Sequence, residues 1–214
     1  MLERQILKWG FGIENFPTFL CPVCSKGSLV PNSKLEKYHP PFSKNIQQEE
    51  WSDWDHVELR LNTILECKNP YCGDQVVVHA KGGVEPEYDY RGEMEYVDFF
   101  RIISIFPAPH IIVLPEGLPK GISDELVASF DVYWSHKNLC VNALRNALEA
   151  VLEHFGIPDE IGGNWVSMGN RLIEFAKVEP EHAEFLKLLK PIVNAGSHGT
   201  TIETDTLLDV FEAL

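Results

Sequence analysis

The sequence predicts an α+β chain, a β-rich N-terminal module followed by an all-α helical bundle, on three observations. Short β-branched or alternating runs at 57–61, 75–80 and 99–106 occupy the first half. Two cysteine pairs punctuate that half. From Ser123 onward, apolar residues recur at three- and four-residue steps, the period of amphipathic helices.

The cysteines carry the most chemistry. Cys21-Pro-Val-Cys24 follows the β-like run at 18–20 and precedes Lys26-Gly27; Cys67-Lys-Asn-Pro-Tyr-Cys72 follows 62–66 and precedes Gly73. Each tight turn brings two sulfurs within reach of one ion, and the distant second turn closes the tetrahedron. Such spacing is that of a structural four-thiolate zinc site, a zinc ribbon, with Cys21, Cys24, Cys67 and Cys72 as ligands. A redox C-x-x-C would leave Cys67 and Cys72 unexplained. A disulfide framework suits a secreted chain, whereas Met1-Leu2-Glu3-Arg4-Gln5 opens without an apolar signal region. Catalytic zinc requires an open position that four thiolates would fill. His56 or His79 replacing one sulfur is the minor variant. Cys140 falls in an apolar helical pattern and is expected in the core.

Residues 18–82 thus form the ribbon, with a long insert through Pro40-Pro41 and Trp51-Ser-Asp-Trp54. Gln75-Val-Val-Val-His-Ala80 is the clearest strand, expected to end at Gly82-Gly83. The domains expected are 1–82, a zinc-ribbon-like module; 83–119, an acidic, strand-bearing and Pro-rich connector; and 120–214, the bundle. Its five helices begin with one capped by Ser123. The second covers Leu139 to Phe155, the third Trp165 to Phe175, the fourth Phe185 to Val193 and the fifth Thr204 to Leu214.

The net charge of −14 is unevenly placed. Residues 1–82 hold 9 Lys+Arg and 10 Asp+Glu, but 121–214 hold 6 and 15. Broad electrostatic binding to DNA is therefore not expected, because an acidic surface repels phosphates. For a DNA-binding ribbon, Lys26, Lys34, Lys37, Lys44 and Arg60 are the available contacts. The apolar runs at 102–106 and 111–114 are too short to span a bilayer. No membrane partner is expected, and the chain is assigned to the cytoplasm.

Within the helical half, Arg145 and Glu149 form an i,i+4 pair. Asn194 and His198 stand four residues apart with Ala195, Gly196 and Ser197 between them. Such a pair could orient and protonate a phosphate ester or ribose hydroxyl. The plainer reading makes Asn194 a cap or bridge and His198 a half-buried histidine near a helix end.

The ordered pieces Phe106-Pro-Ala-Pro, Leu114-Pro-Glu-Gly-Leu-Pro119, Ala143-Leu-Arg-Asn-Ala-Leu-Glu149, Asn170-Arg-Leu172 and Lys190 through Asn194 to His198 resemble an uncharacterised bacterial family, DUF family 4145. That family is associated with restriction and defence and often carries an N-terminal zinc ribbon. It looks like a branch of the HEPN superfamily of helical bundles, many of them metal-independent endoribonucleases with an Arg-polar-x-x-x-His motif. The resemblance implies a HEPN-like bundle, a homodimer through that bundle, and a protein, RNA or nucleotide partner. Asn194 and His198 match the motif, but Val193 stands at its arginine position, which removes the main charge stabiliser of phosphoryl transfer.

The expectation is therefore a zinc-binding accessory protein of a defence, restriction or toxin–antitoxin system with a degenerate bundle. One alternative is a ribonuclease using His198 and Asn194, with Arg145 or Lys190 supplying charge and Glu149 beside Arg145. A DNA-binding zinc-ribbon regulator is the other.

Overall fold

Alternation along one central strand organises the N-terminal half. In β4 (Leu59–Cys67) every second side chain turns inward, so Leu59, Leu61, Thr63, Leu65 and Cys67 are all buried. This is the period of a strand with one face on a core. The computed structural model describes residues 4–8, 10–182, 185, 188–189 and 202–214. The chain divides into two compact units, Leu2–Pro109 and His110–Leu214.

The first unit is a six-stranded antiparallel sheet. Its order is β1 (Phe19–Leu20), β2 (Ser28–Pro31), β4, β5 (Gln75–Tyr88) and β6 (Met94–Phe106), with β3 (Lys37–Tyr38) also paired to β4. Phe11 forms an isolated bridge to Phe100 beside β6. Val76, Val78 and Ala80 of β5 and Phe100, Ile102 and Ile105 of β6 join the inward rows. Each such large side chain taken out of water contributes about 2 kcal/mol. Two short helices, α1 (Arg4–Lys8) and α2 (Pro41–Ile46), belong to this unit. Ser43 of α2 ties down the long insert: its hydroxyl accepts the Glu58 amide at 2.8 Å.

β5 does not end at Gly82-Gly83. It runs on to Tyr88 and pairs with β6 from Met94, so the acidic segment is a hairpin arm and not a connector. The reason is close packing: a Cβ at Gly82 would lie 1.9 Å from the Phe99 carbonyl oxygen. Gly82 therefore lets the paired strands approach and does not break the strand.

The second unit corrects the expected fold class, because no all-α bundle follows the β module. Helices α3 (Lys120–Tyr133), α4 (Lys137–His154), α5 (Met168–Val178) and α6 (Thr204–Ala213) are interrupted by a hairpin, β7 (Glu160–Ile161) and β8 (Asn164–Trp165). Gly162 and Gly163 adopt φ +59° and +80°, the left-handed pair that a two-residue hairpin turn requires. Trp165 thus lies in a strand, and the third helix starts only after Ser167. The core is built by Leu126, Phe130, Leu144, Leu148, Leu207 and Phe211, with the Phe130 and Phe211 rings 5.6 Å apart. Most of the expected fourth helix lies outside the described residues. Among the described residues, no helix is long and apolar enough to cross a membrane.

Candidate metal centre

The inward rows deliver two cysteines to the same place. Phe19 and Cys21 are alternate buried positions at the end of β1, and Cys67 closes the inward row of β4. β2 bridges them, with Leu29 opposite both Phe19 and Cys67. Cys24 and Cys72 come from the turns that follow. The first turn is fixed by Ser25 N–H donating to the Cys21 carbonyl at 2.9 Å and Cys21 N–H to the Gly27 carbonyl at 2.8 Å. In the second, the Cys72 and Gly73 amides both donate to the Asn69 carbonyl, at 2.9 and 3.2 Å, and Gly73 takes φ +63°. Lys68 N–H donates to Ser28 O at 3.0 Å and couples this turn to β2.

The four sulfurs of Cys21, Cys24, Cys67 and Cys72 all lie within 4.8 Å of one another. The cross-turn pairs are Cys21–Cys72 at 3.8 Å and Cys24–Cys67 at 3.6 Å. A disulfide needs about 2.05 Å. Bonds of about 2.3 Å to a tetrahedral ion place sulfurs roughly 3.8 Å apart. The spacing is therefore that of a four-sulfur metal cage, and all four cysteines are free thiols.

The surroundings differ from sulfur to sulfur. Cys24 accepts the Gly27 amide at 3.4 Å and the Asn69 side-chain amide at 3.5 Å. Amide donors, first Gly27 and then Lys26, draw its thiol down to about 6 and favour the thiolate. Cys67 is raised by burial. Cys72 is held down by the Asp74 amide, but burial and the neighbouring sulfurs outweigh this and push it up to about 12. Four thiolates in so small a volume would need a cation between them, and the cluster could hold one. Gly27 completes the fit, since a Cβ there would lie 2.3 Å from Cys67 Sγ. Gly27 and Asn69 were the supporting residues to be found in the sequence. Their only signal was position, one just past the first pair and one inside the second.

The other candidate residues do not join this centre. His56 Nδ1 accepts the Asp53 amide at 3.0 Å in a capping box, and His79 pairs with Asn62 across β4 and β5, so neither replaces a sulfur. Cys140 is buried in α4, and burial pushes its thiol up to about 12. Arg145 Nε lies 3.5 Å from Glu149 Oε1, an i,i+4 pair on α4. Lys190, Asn194 and His198 lie outside the described residues. Of the basic residues set aside for DNA, Lys37 pairs with Asp98 and Arg60 with Glu58.

Fold and site together define an antiparallel β domain bearing a four-cysteine cluster that could hold a metal. A family model described as a domain of unknown function, DUF8608, matches residues 10–103, a span that includes both cysteine pairs. No curated protein and no solved structure matches the chain. The resemblance to DUF family 4145 and to HEPN proteins is thereby corrected. Within the described residues its pieces are Pro-rich loops and short amphipathic helical segments, which many packed helical proteins supply. The defence association rested on that resemblance alone.

Proposed function

We propose that this chain is a zinc-stapled binding protein, in which the metal has a structural role and the sheet presents a surface to a partner. The four-sulfur cage carries this reading. Four thiolates saturate tetrahedral zinc and leave no open position for water or substrate, which is the pattern of structural sites. Two of the sulfurs belong to the buried rows of the sheet, so the ion would act as part of the core. Reduced thiols at this spacing fit a reducing compartment such as the cytoplasm. Tetrahedral sulfur cages also take iron, and the choice of zinc rests on the absence of any need for redox chemistry in a scaffold.

Metal analysis of the purified protein tests this directly. One zinc per chain is expected, and Cys67→Ser or Gly27→Ala should lower that ratio well below one. Gly27→Ala matters because it keeps every ligand and disturbs only the space beside Cys67 Sγ and Asn69. A visible iron–thiolate absorbance without zinc, or a metal-free protein with four titratable thiols and an unchanged fold, would overturn the reading.

A further inference from the structure

Among the described residues, the hairpin arm at the end of β5 and β6 extends the core face and leaves it exposed. Cross-strand partners share a face, and alternate residues along a strand return to it. Ala80 opposite Ile102 and Gly82 opposite Phe100 belong to the buried side of the sheet. The same side continues as Val84 opposite Asp98, Pro86 opposite Tyr96 and Tyr88 opposite Met94. Phe100 is fully buried, yet Tyr96 is 51%, Met94 49% and Tyr88 69% exposed. The ion pair between Asp98 and Lys37 marks where the covered part ends.

The reverse side of the arm is acidic. Glu87 stands directly opposite Glu95, with Glu85 one alternate position away. Like charges directly opposed across two strands destabilise a hairpin by a few tenths of a kcal/mol or more. Asp89 and Glu93 add charge at the tip, where Arg91 lies over the Tyr90 ring. At the root of the arm, an open groove of about 530 Å³ is lined by Glu14, Glu87, Val97 and Phe99. An apolar side, an acidic side and an acidic groove occur together in a ribbon only two strands wide.

We infer that this arm is the docking surface for a basic segment of another protein, one in which Lys or Arg alternates with apolar residues. The apolar side chains would cover Tyr88, Met94 and Tyr96, and the cations would neutralise the opposed Glu87 and Glu95. Charge complementarity selects this occupant. A second copy of a chain with 32 Asp+Glu against 18 Lys+Arg would bring carboxylates against carboxylates, and a nucleic acid would bring phosphates. The inference rests on the proposed binding role and gives that role a surface and a partner class.

The test uses the full chain and an amphipathic Lys/Leu peptide, with all-Lys and Glu/Leu peptides as comparators, titrated calorimetrically at low salt. The Lys/Leu peptide should bind most tightly and the Glu/Leu peptide not at all. Glu87→Gln with Glu95→Gln should weaken binding about tenfold while raising the melting temperature, because it relieves the opposed charges. Tyr88→Ser with Tyr96→Ser should weaken it to a similar extent. Glu203→Gln with Glu212→Gln, in the other unit, should leave it unchanged. Equal binding of Lys/Leu and all-Lys peptides, or indifference to both arm variants, would overturn the inference. So would a dimer in sedimentation that Tyr88→Ser dissociates, since a second copy would then be the occupant. Zinc content measured on the same samples separates the two readings: loss of peptide binding with zinc retained concerns the arm alone.

Discussion

Lys137 opens α4 with its ammonium 3.0 Å above the centre of the Tyr133 ring. Burial draws its pKa down from 10.5 to about 8. The aromatic face compensates the cation for some of its lost hydration. Below pH 8 both native and unfolded chains carry the proton, and the desolvation cost is constant. Between 8 and 10.5 the unfolded chain keeps a proton that the native chain has lost, so this residue's contribution to stability rises with pH. Lys137→Met removes the titrating group. The variant is expected to be more stable than the parent at neutral pH by roughly 1–3 kcal/mol, a gap that closes between pH 8 and 10.5. Urea denaturation of both proteins across that range checks it; a gap independent of pH would mean that the ammonium is solvated.

Among the elements, those whose sequence carried both a period and a terminus were read best. β4 and the core of β5 followed from alternation, and the fifth expected helix, from Thr204, is α6. The cysteine cluster was equally legible, because turn spacing fixes which sulfurs can meet. Three features were not. The arm hid behind Gly82-Gly83, whose role in close strand approach cannot be told from a turn without the partner strand. The β7–β8 hairpin hid inside helical periodicity even though Gly162-Gly163 signalled a turn. The cap of α3 was misplaced: Ser123 lies inside the helix, its amide donating to Pro119 O at 3.0 Å, and Pro119 holds the cap position. The cap that works is Ser167 of α5, whose hydroxyl accepts the Asn170 amide at 3.3 Å. Ser167→Ala should therefore cost about 1 kcal/mol, whereas Ser123→Ala should be neutral or stabilise by a few tenths. Thermal melts of the two variants decide between the positions, and a larger loss at Ser123 would reverse the assignment.

At the scale of the whole molecule, the two units depend on different forces. The second unit is held by apolar packing around Phe130, Leu144 and Phe211 and has no metal-ligand cluster among its described residues. In the first unit β1 and β3 are each two residues long. Strands that short gain little from their ladders alone, so a metal in the cage would add a second tie between the ends of β1 and β4 to the one that β2 makes. Structural zinc bound to four cysteines supplies on the order of 10 kcal/mol of apparent binding free energy, and that energy reaches only the elements its ligands join. Scanning calorimetry should accordingly show two transitions. A strong chelator should move only one of them, lowering its melting temperature by well over 10 °C, because a shift of several kcal/mol is large for a unit of this size. Restoring zinc should bring the transition back. Circular dichroism of the chelated protein should retain its helical signal, since α3, α4, α5 and α6 all lie in the unit without the cage. A single transition that shifts as a whole would show that the two units melt as one. An unshifted pair would show that the sulfurs are not required to hold the sheet together.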